Sequence, residues 1–124
     1  MKFLCLGYYD AQTMDALPPA EIDAIMSQCG PHLEAYMGSG QVLMDAGLDK
    51  PTRRLRQANG KLEITDAPPR DPRALIGSVS ILEADDFDAA VAIAAKHPGP
   101  ALPAGEQFGW VMEVRPIHTF WERP

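Results

Sequence analysis

The sequence predicts an α+β fold, in which an antiparallel sheet carries two helices on one face. Short apolar runs typical of strands alternate with two stretches whose apolar residues recur at helical spacing. Asn59-Gly60 joins two of these runs, and this dipeptide favours the tight turn of an antiparallel hairpin. Strands and helices that alternate in this way pack as a layer of sheet against a layer of helices.

The first third of the chain predicts strand, helix, strand. Residues 2–8 form a short apolar run expected to be a buried strand, and residues 10–17 are polar and predict a loop. Apolar residues recur at helical spacing over residues 22–37, but Pro31 interrupts them. Because proline removes a backbone hydrogen bond, we expect a kink or two short helices there. Residues 41–46 predict the second strand.

Residues 53–58 and 61–65 predict the hairpin on either side of Asn59-Gly60. Both turn positions tolerate a positive φ, as a two-residue turn of type I′ requires. This loop length sets up one charged and one apolar cross-strand pair: Arg56 with Glu63, and Leu55 with Ile64. The register therefore agrees with the chemistry of both faces.

The second half predicts loop, strand, helix, loop and strand. Residues 66–72 contain three prolines and cannot form an interior strand, whereas residues 76–83 predict one. Asp85 is the expected N-cap of the second helix. Residues 98–109 are rich in proline and glycine and predict a loop, and residues 110–117 alternate as a final strand.

Composition excludes several function classes. The 124 residues fit one domain, residues 1–124, and their net charge of −6 argues against a nucleic-acid binder. No segment has the length of a membrane-spanning helix, and Cys5 and Cys29 are expected as free thiols, so we expect a soluble, cytoplasmic protein. The three histidines lack nearby acidic partners in sequence, and no glycine-rich phosphate loop is present, so neither a metal nor a cofactor is expected.

Several segments, taken in order, resemble the YCII-related (DGPF) domain family over nearly the whole chain. They are residues 1–8 and 40–48, Ile64-Thr65-Asp66-Ala67-Pro68, residues 83–90, His97-Pro98, and Met112-Glu113-Val114-Arg115-Pro116-Ile117. The resemblance implies a ferredoxin-like fold with an extra hairpin, whose subunits pair as a dimeric α+β barrel. It also implies a pocket for small ligands in the barrel, without an established reaction for most members.

The chain departs from the family pattern at its signature and at one histidine. Ala67 and Pro69 replace the signature glycine and phenylalanine, and residues 70–73 replace the charged residues that often follow. A more distant branch of the family is thought to pair a histidine in the first helix with an aspartate near the end of the second. His32 lies roughly one helical turn beyond that histidine, and His97 stands where the aspartate would be.

Asp66 and His32 are the candidate catalytic residues. Asp66 lies where a strand meets a proline-rich loop, so its carboxylate could act as a base in a pocket if burial raised its pKa. The alternative is a turn residue ahead of Pro68. His32 could transfer protons near neutral pH, and its alternative is a surface or capping histidine.

Four further residues are candidates for substrate binding. Arg115 could hold a carboxylate through its planar guanidinium, and Glu113 shares its strand face, although both could instead form an interface or surface ion pair. Tyr8 and Tyr9 point to opposite faces, so one of them should approach the pocket. His97 could face the pocket, or bind the carbonyl end of its helix as a cation.

Two functions remain open from the sequence. One is a homodimer that binds a small ligand without catalysis. The other is a cofactor-free acid/base enzyme of the isomerase or lyase type, acting on a small anionic metabolite.

Overall fold

The computed structural model describes residues 1–66 and 71–124. Its elements, in chain order, are β1 (Lys2–Tyr9), α1 (Ala11–Asp15), α2 (Pro19–Met37), β2 (Val42–Gly47), β3 (Arg53–Ala58), β4 (Lys61–Asp66), β5 (Leu75–Glu83), α3 (Phe87–Ala94), α4 (Pro98–Ala101) and β6 (Val111–Pro116), with a turn of 3-10 helix at Pro103–Gly105. The predicted α+β class is confirmed.

Four strands form one sheet in the order β2-β5-β1-β6, and every neighbouring pair is antiparallel. This strand order, with one long helix following β1 and a second following β5, is the ferredoxin-like arrangement. β1 lies in the interior of the sheet and pairs with β5 along its whole length. The predicted fold is therefore observed, with the β3-β4 hairpin as a separate two-stranded sheet.

The core lies between one face of this sheet and the helices. Alternate residues of a strand face opposite sides, so Phe3 and Cys5 of β1 point the same way, and both are fully buried. They pack with Leu82 of β5, Tyr36 of α2 and Ile93 of α3. Both long helices therefore cover the same side of the sheet.

The opposite side of the sheet carries a second apolar surface. Leu4 and Leu6 alternate with the buried residues of β1, and their partners across β5 are Ile81 and Val79. All four are only partly buried in a single chain. We call these four residues the open sheet face.

The hairpin has the register that the sequence predicts. Arg56 pairs with Glu63 across the strands, and their side chains meet at 3.0 Å. Asn59 and Gly60 have φ angles of 54° and 75°, as the predicted turn requires. Local turn chemistry alone was sufficient to predict this element.

Three expected boundaries need correction in the helical regions. Residues 10–17, expected as a loop, contain α1, because the Asp10 side chain accepts a hydrogen bond from the Thr13 N–H at 3.1 Å and caps it. Of the two alternatives expected at Pro31, a kink or two short helices, the second is wrong, because α2 is a single helix that includes Pro31. The N-cap of α3 is Asp86, whose carboxylate accepts from the Ala89 N–H, and not Asp85.

The loop regions also differ from expectation. Residues 98–109 hold α4 and the 3-10 turn, because a proline at the first position of each suits a helical start. Within the expected loop of residues 66–72, positions 67–70 lie outside the described residues, and so does the altered part of the family signature. Among the described helices, none is long and apolar enough to cross a membrane.

The core assignment predicts the effect of trimming Leu82. We expect Leu82→Ala to lower the free energy of unfolding by about 2–5 kcal/mol, because the truncation leaves a cavity beneath both helices. Val91→Ala is the control, since Val91 is 47% exposed on α3 and should change stability by about 0.5 kcal/mol or less. Urea unfolding measures both variants, and equal losses would contradict this core.

Candidate functional site

A cavity of about 420 Å³ lies on the helix side of the sheet, at one end of it. Met26, Cys29 and Leu33 of α2 form an apolar wall. The ends of β1 and β2 and the starts of β5 and β6 form the floor, and the segment from His97 to Gly99 contributes a third side. This volume lies within the range of small-molecule sites in proteins.

Glycines in the strands make room at the floor of the cavity. A Cβ atom on Gly7 would lie 2.2 Å from the Ser78 Oγ, and one on Gly77 would lie 2.8 Å from the ring of Tyr9. A glycine inside a strand often marks such a close approach. Here the two glycines allow the Ser78 hydroxyl and the Tyr9 ring to lie beside the cavity.

Asp45 brings a carboxylate to the cavity from β2. Its Oδ1 accepts a hydrogen bond from the Ser80 Oγ at 2.5 Å, on the neighbouring strand position. Ser80 is buried and lies next to the buried hydroxyl of Tyr36, which has no hydrogen-bond partner of good geometry among the described residues. Burial raises the pKa of the Tyr36 hydroxyl, so this group stays protonated.

His97 is held in one orientation by two neighbours. Its Nδ1 accepts a hydrogen bond from the Gly99 N–H at 3.1 Å, as the N-cap of α4. Its ring meets the Tyr36 ring edge-on, with the centroids 5.0 Å apart. Because Nδ1 is an acceptor, the neutral imidazole carries its proton on Nε2 and can donate it as a hydrogen bond.

The protonation state of His97 follows from its surroundings. Burial lowers the pKa of His97, and the nearby Asp45 carboxylate opposes this with a smaller effect. A protonated imidazole would also lose the bond from the Gly99 N–H. The expectation of a cation at the carbonyl end of α3 is therefore not met, since the side chain caps the start of α4 as a neutral acceptor.

Cys29 contributes to the apolar wall of the cavity and does not act as a nucleophile. Its Sγ donates to the Ile25 carbonyl oxygen at 3.6 Å within α2, and burial raises the pKa of the thiol. The thiolate is the reactive form of cysteine, so a raised pKa makes the group inert at neutral pH.

Three of the residues named from the sequence lie at this cavity. His97 lines it, and so do both Tyr8 and Tyr9, whereas only one of the two tyrosines was expected there. The Tyr8 hydroxyl donates a hydrogen bond to the Glu113 carboxylate on the other side of the sheet, and this bond raises the pKa of Tyr8.

The structure does not bring the other candidates to the cavity. Asp66 ends β4, where its side chain is 87% exposed and pairs with Arg53 at 3.2 Å, so a single chain gives it none of the burial that a base role needs. His32 is half-buried on α2, and Glu113 and Arg115 are exposed on β6. None of these four lines the cavity, so the predicted grouping of Asp66, His32 and Arg115 is not formed within one chain.

Sequence reasoning did not identify Asp45, Ser78 or Ser80. Asp45 lies inside a run that reads simply as a strand, and its importance depends on the register that places it opposite Ser80. One signal was available, because Asp45 is a charged residue at a position that faces the buried side of β5.

The pKa of His97 predicts how stability depends on pH. Since the folded state lowers this pKa below 6.5, the unfolded chain takes up the proton first as the pH falls, and stability is lost below about pH 6.5. His97→Asn keeps an oxygen acceptor for the cap but cannot titrate. In urea unfolding at pH 7.5 and pH 5.5 we expect a smaller loss for His97→Asn than for the unaltered chain. Equal losses of stability in the two proteins would rule out His97 as the cause of this pH dependence.

Comparisons with known proteins identify the family. A solved structure of 5-chloro-2-hydroxyhydroquinone dehydrochlorinase from Burkholderia phenoliruptrix AC1100, in complex with 2,5-dihydroxybenzoquinone, is 18% identical. The alignment covers 100% of this chain and 96% of that one, with a TM-score of 0.44. A search of curated proteins gave no match. The model of the YCII-related domain matches residues 1–117. The chain therefore belongs to the YCII-related domain family.

Proposed function

We propose that this protein binds a small, uncharged ring compound bearing hydroxyl or carbonyl groups in the cavity between α2 and the sheet. The observation that carries the proposal is the meeting of Asp45 and His97 at a largely apolar cavity. Sites of this composition bind their ligands through apolar contact and use a few polar groups to fix the orientation.

The lining of the cavity favours a ring. Tyr9 and Trp110 contribute aromatic side chains to the lining, and α2 contributes Met26 and Leu33. Aromatic groups pack well against a flat ligand by stacking or edge contact. The Asp45 carboxylate can accept a hydrogen bond from a ligand hydroxyl, and the His97 Nε2–H can donate one to a ligand oxygen.

The charge of the lining favours an uncharged ligand over the anionic one expected from sequence. Asp45 is the charged side chain among the described lining residues, and no lysine or arginine accompanies it there. An anionic ligand would meet a like charge in a partly buried setting, which is unfavourable. Arg115, the expected anion anchor, extends from β6 outside this lining.

The same two residues support a second candidate function, proton-transfer catalysis. A base and a hydrogen-bond donor at one cavity can remove a proton next to a carbonyl and stabilise the oxyanion that forms. Asp45 would serve as the base, and His97 would donate from Nε2. This is the isomerase or lyase type of chemistry, with Asp45 in the role that the sequence suggested for Asp66.

The second copy of the predicted homodimer is part of this proposal. Leu4, Leu6, Val79 and Ile81 present the open sheet face, and two copies that packed these faces together would bury both surfaces at once. This is the arrangement expected for a dimeric α+β barrel.

Binding should distinguish uncharged from anionic rings of the same size. We expect catechol to raise the Tm of the protein and benzoate to leave it unchanged, because a ligand that binds only the folded state stabilises it. Asp45→Asn should abolish the effect of catechol, while Asp66→Asn should keep it, because Asp66 is exposed on the hairpin. Stabilisation by benzoate alone would contradict the proposal.

Catalysis should appear as isotope exchange if the second candidate function holds. In deuterium oxide, the protein should speed the exchange of the protons beside the carbonyl of cyclohexanone, followed by nuclear magnetic resonance. Asp45→Asn should slow the protein-catalysed rate by about 10²-fold or more, because general-base catalysis contributes on that order. Asp66→Asn is the matched control, and a rate that depends on Asp66 and not on Asp45 would reverse the assignment.

A further inference from the structure

The β3-β4 hairpin carries an apolar surface that its own chain leaves exposed. Residues paired across an antiparallel hairpin share a face, so Leu55 and Ile64 lie together, and Leu62 follows on the same face opposite Gln57. Leu55 is 62% exposed, Leu62 58% and Ile64 59%. We call these three residues the hairpin stripe.

The hairpin needs a partner to be stable. An isolated two-stranded hairpin is marginal in water, because a third strand or a packed layer normally covers one of its faces. None of the extensive contacts between described elements joins β3 or β4 to another helix or strand. A hairpin that stayed free in solvent would not need three aliphatic side chains on one exposed face. This face therefore indicates a docking surface.

The rim of the cavity is incomplete in a single chain. Met26 and Leu48 line the cavity, yet they are 53% and 47% exposed. These apolar side chains therefore form walls that are open to solvent on one side. The hairpin leaves the sheet at this same end, since it follows Leu48 and returns to β5 just before Gly77.

Charge distinguishes the hairpin from the rest of the molecule. Residues 53–66 contain four basic and two acidic residues, which gives a net charge of +2. The whole chain carries −6, so the remainder carries −8. The hairpin of one copy is therefore attracted to the body of another, and salt should weaken this attraction.

We propose that the hairpin of one copy lies across the cavity of a second copy and completes its rim. The hairpin stripe would pack on Met26 and Leu48, and the basic hairpin would meet the acidic body. Within one chain both apolar surfaces stay exposed, so the occupant is a second copy and not the hairpin of the same chain. The inference rests on the homodimer proposed above and goes beyond it, because the partner would contribute part of the binding site.

A neutral quencher tests the inference without any ligand. The chain has two tryptophans, and Trp110 lines the cavity while Trp121 is 80% exposed. Trp121→Phe therefore leaves Trp110 as the reporter. We expect quenching by acrylamide to decrease as the protein concentration rises through the range of dimer formation, because the hairpin of the partner covers the cavity.

Two variants of the Trp121→Phe protein distinguish the contribution of the hairpin stripe from that of the opposite face of the hairpin. The triple change Leu55→Ser, Leu62→Ser and Ile64→Thr should leave quenching high at every concentration. It should also raise the dimer dissociation constant at least about tenfold in sedimentation, which corresponds to ~1.4 kcal/mol. Arg56→Ser with Glu63→Ser is the matched control, because it alters the other face of the hairpin without changing the net charge.

A mixing experiment distinguishes a hairpin that covers the cavity of another copy from one that covers the cavity of its own chain. An excess of a chain without tryptophan, carrying Trp110→Phe and Trp121→Phe but an intact hairpin, is added to the triple variant. Protection of Trp110 should return, which would also show that the triple variant is folded. Protection that is independent of concentration, that survives the triple change or that fails to return on mixing would overturn the inference. Since no ligand is used, these outcomes are independent of whether catechol binds.

Discussion

The interior position of β1 is the constraint on which the rest of the structure depends. It pairs with β5 on one side and β6 on the other, so the two halves of the chain meet along this strand. The helices α2 and α3 both pack on its buried residues Phe3 and Cys5, on one face of the sheet. Its last residues then border the cavity. A single strand therefore sets the layer order, the core and the floor of the site.

The site extends the core and is not a separate addition to it. Tyr36 is packed against Phe3 and Leu82, while its ring also meets His97 at the cavity. Ser80 lies in the same layer and donates to Asp45. A buried hydroxyl is costly unless it is satisfied, as that of Ser80 is here, and a satisfied one fixes a unique geometry. The two cavity residues are therefore positioned by side chains that the fold needs for its own stability.

Local signals explain why most of the fold was predictable from the sequence. The turn at Asn59-Gly60 defines a hairpin whose register follows without knowledge of the rest. The helix α1 was not predicted, since five residues carry little periodicity and only the capping carboxylate of Asp10 marks its start. The site was harder to predict, because Asp45 and His97 meet through sheet register and helix packing. Asp66, by contrast, was predicted as a site residue because it lies in the family signature, but its side chain is exposed.

The bond from the Gly99 N–H to the His97 Nδ1 gives a main-chain atom control over the chemistry of the imidazole. As long as the amide donates there, the nitrogen that remains available is a donor and not a base. A loop rearrangement that removed this amide would leave Nδ1 free to carry the proton, so that Nε2 could accept a hydrogen bond instead of donating one, with every side chain unchanged. Relatives that share the same histidine could thus differ in reactivity for a reason that a comparison of their side chains would not reveal.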